Sequence, residues 1–144
     1  MDNEELIKII NNIFFPLGFK QKSNIWTLEN DYLIKNIYLQ KSDYSNLYYI
    51  NYGYIIKKVP LNDLKQHISY RVNSIIEKGD LLDFENNIPL DLRGSELSQL
   101  IKDKIVKEFI MINNENDLLD QIKKLPSLNI VPLIVKDYFG IPRV

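Results

Sequence analysis

The chain has no cysteine. That excludes disulfides, thiol catalysis and cysteine metal sites, and leaves the redox compartment open. Histidine occurs once, at His67, so a zinc site is not expected. No apolar run approaches the roughly 20 residues that a membrane helix needs. The opening stretch, Met1-Asp2-Asn3-Glu4-Glu5, is acidic, which is wrong for a signal or transit peptide. Excess charge is missing too. The net charge is −1, so bulk electrostatics argue for neither nucleic acid nor an anionic membrane as partner. Gly-rich phosphate loops, a Ser nucleophile elbow and a His-Glu-x-x-His stretch are all absent. Asp80, Asp83 and Glu85 lie close together without calcium-loop spacing. These absences leave a cytoplasmic protein with no cofactor and no metal as the expectation.

What is present is ordinary for a globular chain. Its 144 residues suffice for one domain, spanning 1–144, with a core of its own. Hydrophobic residues make up 45% and charged residues 26%, both typical shares.

One hairpin organises the pattern. Ile37-Tyr38-Leu39-Gln40-Lys41-Ser42 and Leu47-Tyr48-Tyr49-Ile50-Asn51-Tyr52-Gly53 are joined by the turn formers Asp43-Tyr44-Ser45-Asn46. Pairing Ser42 with Leu47 places Leu39 opposite Ile50 and Ile37 opposite Tyr52. The strong apolar residues then share one face. The other face carries Tyr38 opposite Asn51 and Gln40 opposite Tyr49. A slip of one residue would mix the faces.

Around the hairpin, residues 4–17 read as an amphipathic helix with Asn3 as N-cap, stopped by Gly18. Strands are predicted at 19–22, 25–29, 32–42 and 47–56. Lys35 shares parity with Leu33 and Ile37, so a bulge or an exposed strand end is expected there. Gly53 inside a strand suggests a bulge or a close approach. A short helix at 62–65 leads into a strand at 66–72, where Ile68, Tyr70 and Val72 alternate with His67, Ser69 and Arg71. Residues 79–94 look irregular. Helical pattern resumes after Ser95, with Leu97, Leu100, Ile101, Ile105, Phe109 and Ile112 as its stripe. A short helix capped by Asn114 or Asn116 follows. A last helix starts near Asn129 and runs to Phe139.

Leu17-Gly18-Phe19-Lys20, Trp26, Leu39-Gln40-Lys41-Ser42, Tyr49-Ile50-Asn51-Tyr52-Gly53, His67 and Arg71 appear in that order. In this the first half of the chain resembles the family called domain of unknown function 4304. The resemblance implies an α+β fold and assigns no activity. Some small bacterial domains of this style accompany toxins as immunity proteins, an analogy at the level of fold.

The candidate binding residues are Tyr38, Gln40, Ser42, Tyr49, Asn51, His67 and Arg71. His67 could act as base or ligand, but a structural histidine is the simpler reading. Gln40, Ser42 and Asn51 hydrogen-bond well and make poor nucleophiles. Arg71 could clamp a carboxylate or phosphate, with a structural ion pair as the plainer role. Trp26 and the nine tyrosines are most simply sheet residues, and Lys20, Lys22, Lys57 and Lys58 solvated lysines. No catalytic residue is assigned.

The expected fold is α+β: an antiparallel sheet of about four or five strands, an N-terminal helix, and a helical C-terminal half packed on one face. The expected function is a non-catalytic binding module of unknown specificity. Its polar sheet face would bind a protein partner, with toxin immunity as the specific form. The alternative is a small enzyme or ligand-binding domain using His67 and Arg71. The sequence names no substrate, partner or oligomeric state.

Overall fold

The computed structural model describes residues 1–143. Helix α1 spans Asn3–Phe14. Its N-cap is Asp2 rather than Asn3. The Asp2 carboxylate accepts from the Glu5 N–H, and Glu5 accepts in return from the Asp2 N–H. This reciprocal pair satisfies two helix-end donors, which an Asn3 cap would not. A 3₁₀ turn over Phe15–Leu17 follows, and Gly18 ends it at φ 94°, where a side chain would be strained.

Five strands make one antiparallel sheet in sequence order: β1 Lys20–Lys22, β2 Ile25–Glu29, β3 Leu33–Lys41, β4 Tyr48–Ile56 and β5 Ile68–Arg71. The β3–β4 ladder has the expected register, with Leu39 opposite Ile50, Ile37 opposite Tyr52, Tyr38 opposite Asn51 and Gln40 opposite Tyr49. It sorts the side chains into two faces. Leu33, Ile37, Leu39, Ile50, Tyr54 and Ile56 are buried on one of them. They join Leu6, Ile10 and Phe14 of α1, Trp26 of β2 and the C-terminal helices in one core. The Trp26 indole N–H donates to Asn11 Oδ1 of α1 at 2.7 Å, tying helix to sheet.

Lys35 departs from expectation. The ladder runs through it without a bulge, opposite Tyr54, and the residue is only 6% exposed. Its ammonium instead donates to the Phe109 carbonyl and to Asn113 Oδ1. Phe109 lies at the end of a helix, whose last carbonyls lack partners of their own. A lysine there meets both the orphan carbonyl and the negative end of the helix dipole. Burial lowers its pKa from the usual lysine value.

Gly53 is a close approach. A Cβ there would lie 1.9 Å from the Ile68 carbonyl oxygen of β5. Segment 57–67 explains the rest of its surroundings. Instead of the helix expected at 62–65, it makes a turn with Asn62 and Asp63 at positive φ, which these residue types tolerate. It then lays Gln66 over the sheet, donating to the Asn36 carbonyl and side chain.

Beyond β5, a two-residue hairpin pairs β6 Ile75–Ile76 with β7 Gly79–Asp80. Residues 81–84 then run beside the start of β4: the Tyr48 N–H donates to the Leu82 carbonyl and the Phe84 N–H to the Asn46 carbonyl. Helix α2, Leu90–Ile101, starts before Ser95. The reason is Arg93, which is buried. Its guanidinium donates to the carbonyls of Leu81 at 2.6 Å, Asp83 at 3.0 Å and Asn86 at 3.3 Å. Arg93 makes these bonds from the first turn of the helix.

A π-helical stretch, Lys102–Val106, links α2 to α3, Lys107–Met111. Leu97, Ile101, Ile105 and Phe109 recur every four residues, and each such step overshoots a straight α-helix by about 40°. A π turn absorbs the extra residue and keeps the stripe facing the core. Helix α4 spans Glu115–Lys123 with Asn114 as N-cap. A 3₁₀ turn, Leu128–Ile130, precedes α5, Leu133–Phe139, which ends at Gly140. The chain contains no alanine, so its helices rest on burial more than on intrinsic propensity.

Two substitutions test this arrangement. Leu39→Ala should cost about 2–5 kcal/mol in chemical denaturation, since Leu39 is 4% exposed in the core. A loss under about 0.5 kcal/mol would remove the face assignment. Gly53→Ala has no room for its methyl group against the Ile68 carbonyl. It should destabilise by about 1–3 kcal/mol and shift the β5 amide resonances.

Candidate functional site

Among the described residues, no helix packs on the second sheet face. Tyr38 and Gln40 of β3, Tyr49 and Asn51 of β4, and Ser69 and Arg71 of β5 all point to it by strand parity. Contacts from the helices go to the opposite parity: Asn11 to Trp26, Phe109 to Tyr52 and Tyr54, and the α3 carbonyl to Lys35. Segment 57–67 covers one end of the outer face, near Asn36 and Gly53. The other end stays open.

At the open end three side chains form a closed polar triangle. Arg71 lies opposite Asn51 in the β4–β5 register. Its Nε donates to Asn51 Oδ1 at 3.0 Å, and its Nη2 reaches across β4 to Gln40 Oε1 at 3.1 Å. Asn51 Nδ2 donates to the same Gln40 oxygen at 3.3 Å. The guanidinium also stacks on Tyr49, its central carbon 4.2 Å from the ring centre, a favourable contact of planar cation and aromatic face. Asn51 is 3% exposed, whereas Gln40 and Arg71 are exposed. Beside the triangle, Lys65 holds its ammonium 4.9 Å from the centre of the Tyr38 ring.

The structure thus brings Gln40, Tyr49, Asn51 and Arg71 into contact and sets Tyr38 next to them. Ser42 stands apart in the hairpin turn, where its hydroxyl accepts from the Tyr44 N–H at 3.2 Å. His67 shares the outer parity but sits at the covered end and is 1% exposed. Its Nδ1 accepts from the Ile56 N–H at 2.8 Å, and its Nε2 lies 3.0 Å from the Pro60 carbonyl oxygen. That carbonyl can only accept, which sets the neutral Nε2–H tautomer. Both ring nitrogens are therefore committed to the backbone. Arg71 forms no ion pair among the described residues, where the structural role had anticipated one. Lys65 and Gln66 are part of this face and escaped the sequence reading. The turn formers Pro60, Asn62 and Asp63 mark where the chain folds back over the sheet.

A second polar group lies at the edge of the core, half-buried. Glu108 of α3 accepts from the Tyr54 hydroxyl at 2.8 Å and from Gln121 at 3.2 Å. Burial holds its carboxyl above the ordinary range. Tyr52, stacked on Tyr70 at 5.3 Å, has its pKa pushed up to about 12 by burial first and the nearby Glu108 second. The same causes raise Tyr54 and Tyr70. The clue was available: Glu108 falls on the helical face of Ile101, Ile105 and Ile112, where an apolar residue belongs. The carboxylate is engaged by Tyr54 and Gln121, so its consequence is for stability. Among the described residues no three of His, Asp and Glu are grouped to hold a metal ion.

Fold and site together define a small α+β domain that presents one polar, helix-free sheet face. The family model described as Domain of unknown function (DUF4304) matches residues 10–133. The chain belongs to that family, and the match extends beyond the first half that carries the motifs, into the C-terminal helices. No curated protein and no solved structure matches the chain.

Glu108 generates a pH prediction. Its folded pKa is raised, so the folded state keeps this proton to higher pH than the unfolded chain, whose glutamates titrate near about 4.3. Its favourable contribution is full below that value and is lost as pH rises through the folded pKa. Glu108→Gln removes the half-buried charge while keeping hydrogen-bonding atoms for Tyr54 and Gln121. Thermal unfolding should show the variant gaining on the wild type as pH rises above about 4.3. An unchanged difference over that rise would contradict the assignment.

Proposed function

We propose that this chain is a non-catalytic binding module that meets a protein partner on the open end of its outer sheet face. Toxin immunity in a bacterial cytoplasm is the specific form of this reading. The observation that carries it is the Arg71–Asn51–Gln40 triangle, held against Tyr49 on the exposed half of the face. Side chains so fixed lose little freedom on binding. Polar groups mixed with tyrosine and arginine are also what protein interfaces favour. The engagement of His67 by two backbone groups weighs against a small enzyme or ligand-binding domain worked by His67 and Arg71. Among the described residues no helix is long and apolar enough to cross a membrane, which agrees with a cytoplasmic role.

A photo-crosslinking amino acid at Ser69, exposed on the outer face, tests this against one at Lys104, exposed on the helical side. In cells of the source organism, the Ser69 position should yield a covalent adduct to one protein, and the Lys104 position should not. The purified partner should compete for that adduct. For the immunity form, co-expression should protect against the partner's toxicity. Equal adducts from both positions, or none from Ser69, would remove the reading.

A further inference from the structure

We propose that the outer face anchors a carboxylate of its protein partner, an exposed Asp or Glu flanked by apolar residues, on the Arg71 guanidinium. This rests on the reading of the face as a binding surface and adds the chemistry that the surface selects.

The inference follows from counting donors and acceptors. Arginine carries five N–H donors and no acceptor. Arg71 commits two of them, one to Asn51 and one to Gln40, which leaves three. Both amide oxygens of the triangle are turned inward, because an arginine N–H can only meet an oxygen. Gln40 Oε1 accepts from Arg71 and from Asn51, which fills both its lone pairs. The Asn51 oxygen belongs to a buried residue. What remains facing outward is the Gln40 NH₂ group and the unused N–H groups of Arg71. The triangle therefore presents donors alone, around a fixed positive charge. Such a surface calls for an anionic acceptor.

The described residues supply no such acceptor. Among the described residues the ion pairs join the N-terminus to Glu5, Lys57 to Glu29 and Arg143 to Asp137. Arg71 is thus held in place by amides and a ring, with its charge uncompensated. Its two hydrogen bonds and the Tyr49 stack orient the fork before any ligand arrives. A planar carboxylate matches that fork.

The surroundings favour a carboxylate on a protein over a nucleic-acid phosphate. A nucleic-acid backbone needs a continuous cationic track. Here the row across the sheet reads Arg71, Asn51, Tyr38, Ile25, Lys22, and the cation that stands between its ends, Lys65, lies over the Tyr38 ring. Four strand spacings separate its ends, about 19 Å. Bases would also need free aromatic faces, yet Tyr38 and Tyr49 already carry Lys65 and Arg71. Exposed Ile25 and half-buried Tyr38 and Tyr49 suit the apolar flank of an acidic residue.

The test is a titration of the full-length, isotope-labelled protein followed by NMR at the Arg71 Nε–H and Gln40 NH₂ signals. The probes are a capped peptide alternating Glu and Gly, the same peptide with Gln for Glu, inorganic phosphate and a twelve-base oligothymidine. The Glu peptide should move these signals saturably, and the Gln peptide should not. Arg71→Gln should weaken Glu-peptide binding about tenfold or more, a loss typical of one charge-assisted pair. Lys22→Gln should leave it unchanged. Arg71→Lys keeps the charge without the fork and should weaken binding severalfold, which serves if the glutamine variant fails to fold. Equal response to the Gln peptide, tighter binding of phosphate or oligothymidine at the same signals, or indifference to both Arg71 variants would overturn the proposal. If the Ser69 crosslinker captures a partner whose affinity ignores Arg71→Gln, the binding face stands and the carboxylate anchor falls. If the Glu peptide binds through Arg71 but no partner is captured, the anchor stands and the protein-binding reading falls.

Discussion

The β3–β4 ladder is the constraint on which the other placements depend. Nine residues of Leu33–Lys41 pair without interruption with Tyr48–Ile56. Because side chains alternate, one register decides at once which residues enter the core and which stay outside. The wrong register would expose Leu39 and Ile50 and bury Gln40 and Tyr49. The cost of burying an unpaired amide, about 1–3 kcal/mol, adds to the lost apolar burial. The outer polar triangle is therefore a by-product of core formation as well as a site. Gly53 extends the same logic to β5, since only a residue without a Cβ lets Ile68 approach and bring Arg71 over Asn51.

Lys35 and Arg93 are buried where backbone groups lack partners, and the half-buried Glu108 joins two side chains. Lys35 closes the end of α3. Arg93 gathers the carbonyls of segment 80–86, where no regular strand satisfies them. Glu108 bridges β4 to α4 through Tyr54 and Gln121. Removing one partner of such a bond strands the other in a medium of low dielectric. These contacts join the helical half of the chain to the sheet at specific points, where apolar packing alone would allow sliding.

The parts legible in the sequence were those governed by alternation and by strong local signals. The apolar match of Ile37 and Leu39 with Tyr52 and Ile50 specifies the hairpin, and Gly18 and Gly140 mark helix ends. Tyr38, Gln40, Asn51 and Arg71 follow from that register, so most of the candidate face could be written down beforehand. Long-range polar partners were not legible. Nothing near Lys35 in sequence announces Phe109, and nothing near Ser95 announces that the helix starts at Leu90, with Arg93 in its first turn reaching the carbonyls of Leu81, Asp83 and Asn86. The two positive-φ residues of segment 57–67 turned an expected helix into a cover for His67. A histidine at the right parity was thus removed from the open surface by a loop whose path local propensity does not encode.

Amide hydrogen exchange tests the central role of the ladder most directly. If β3 and β4 are what the rest is built on, their ladder amides should exchange only through global unfolding. Their opening free energy should match the stability measured with denaturant and exceed that of α4 and α5. Amides of β3 and β4 that exchange faster than those of α4 and α5 would contradict the account.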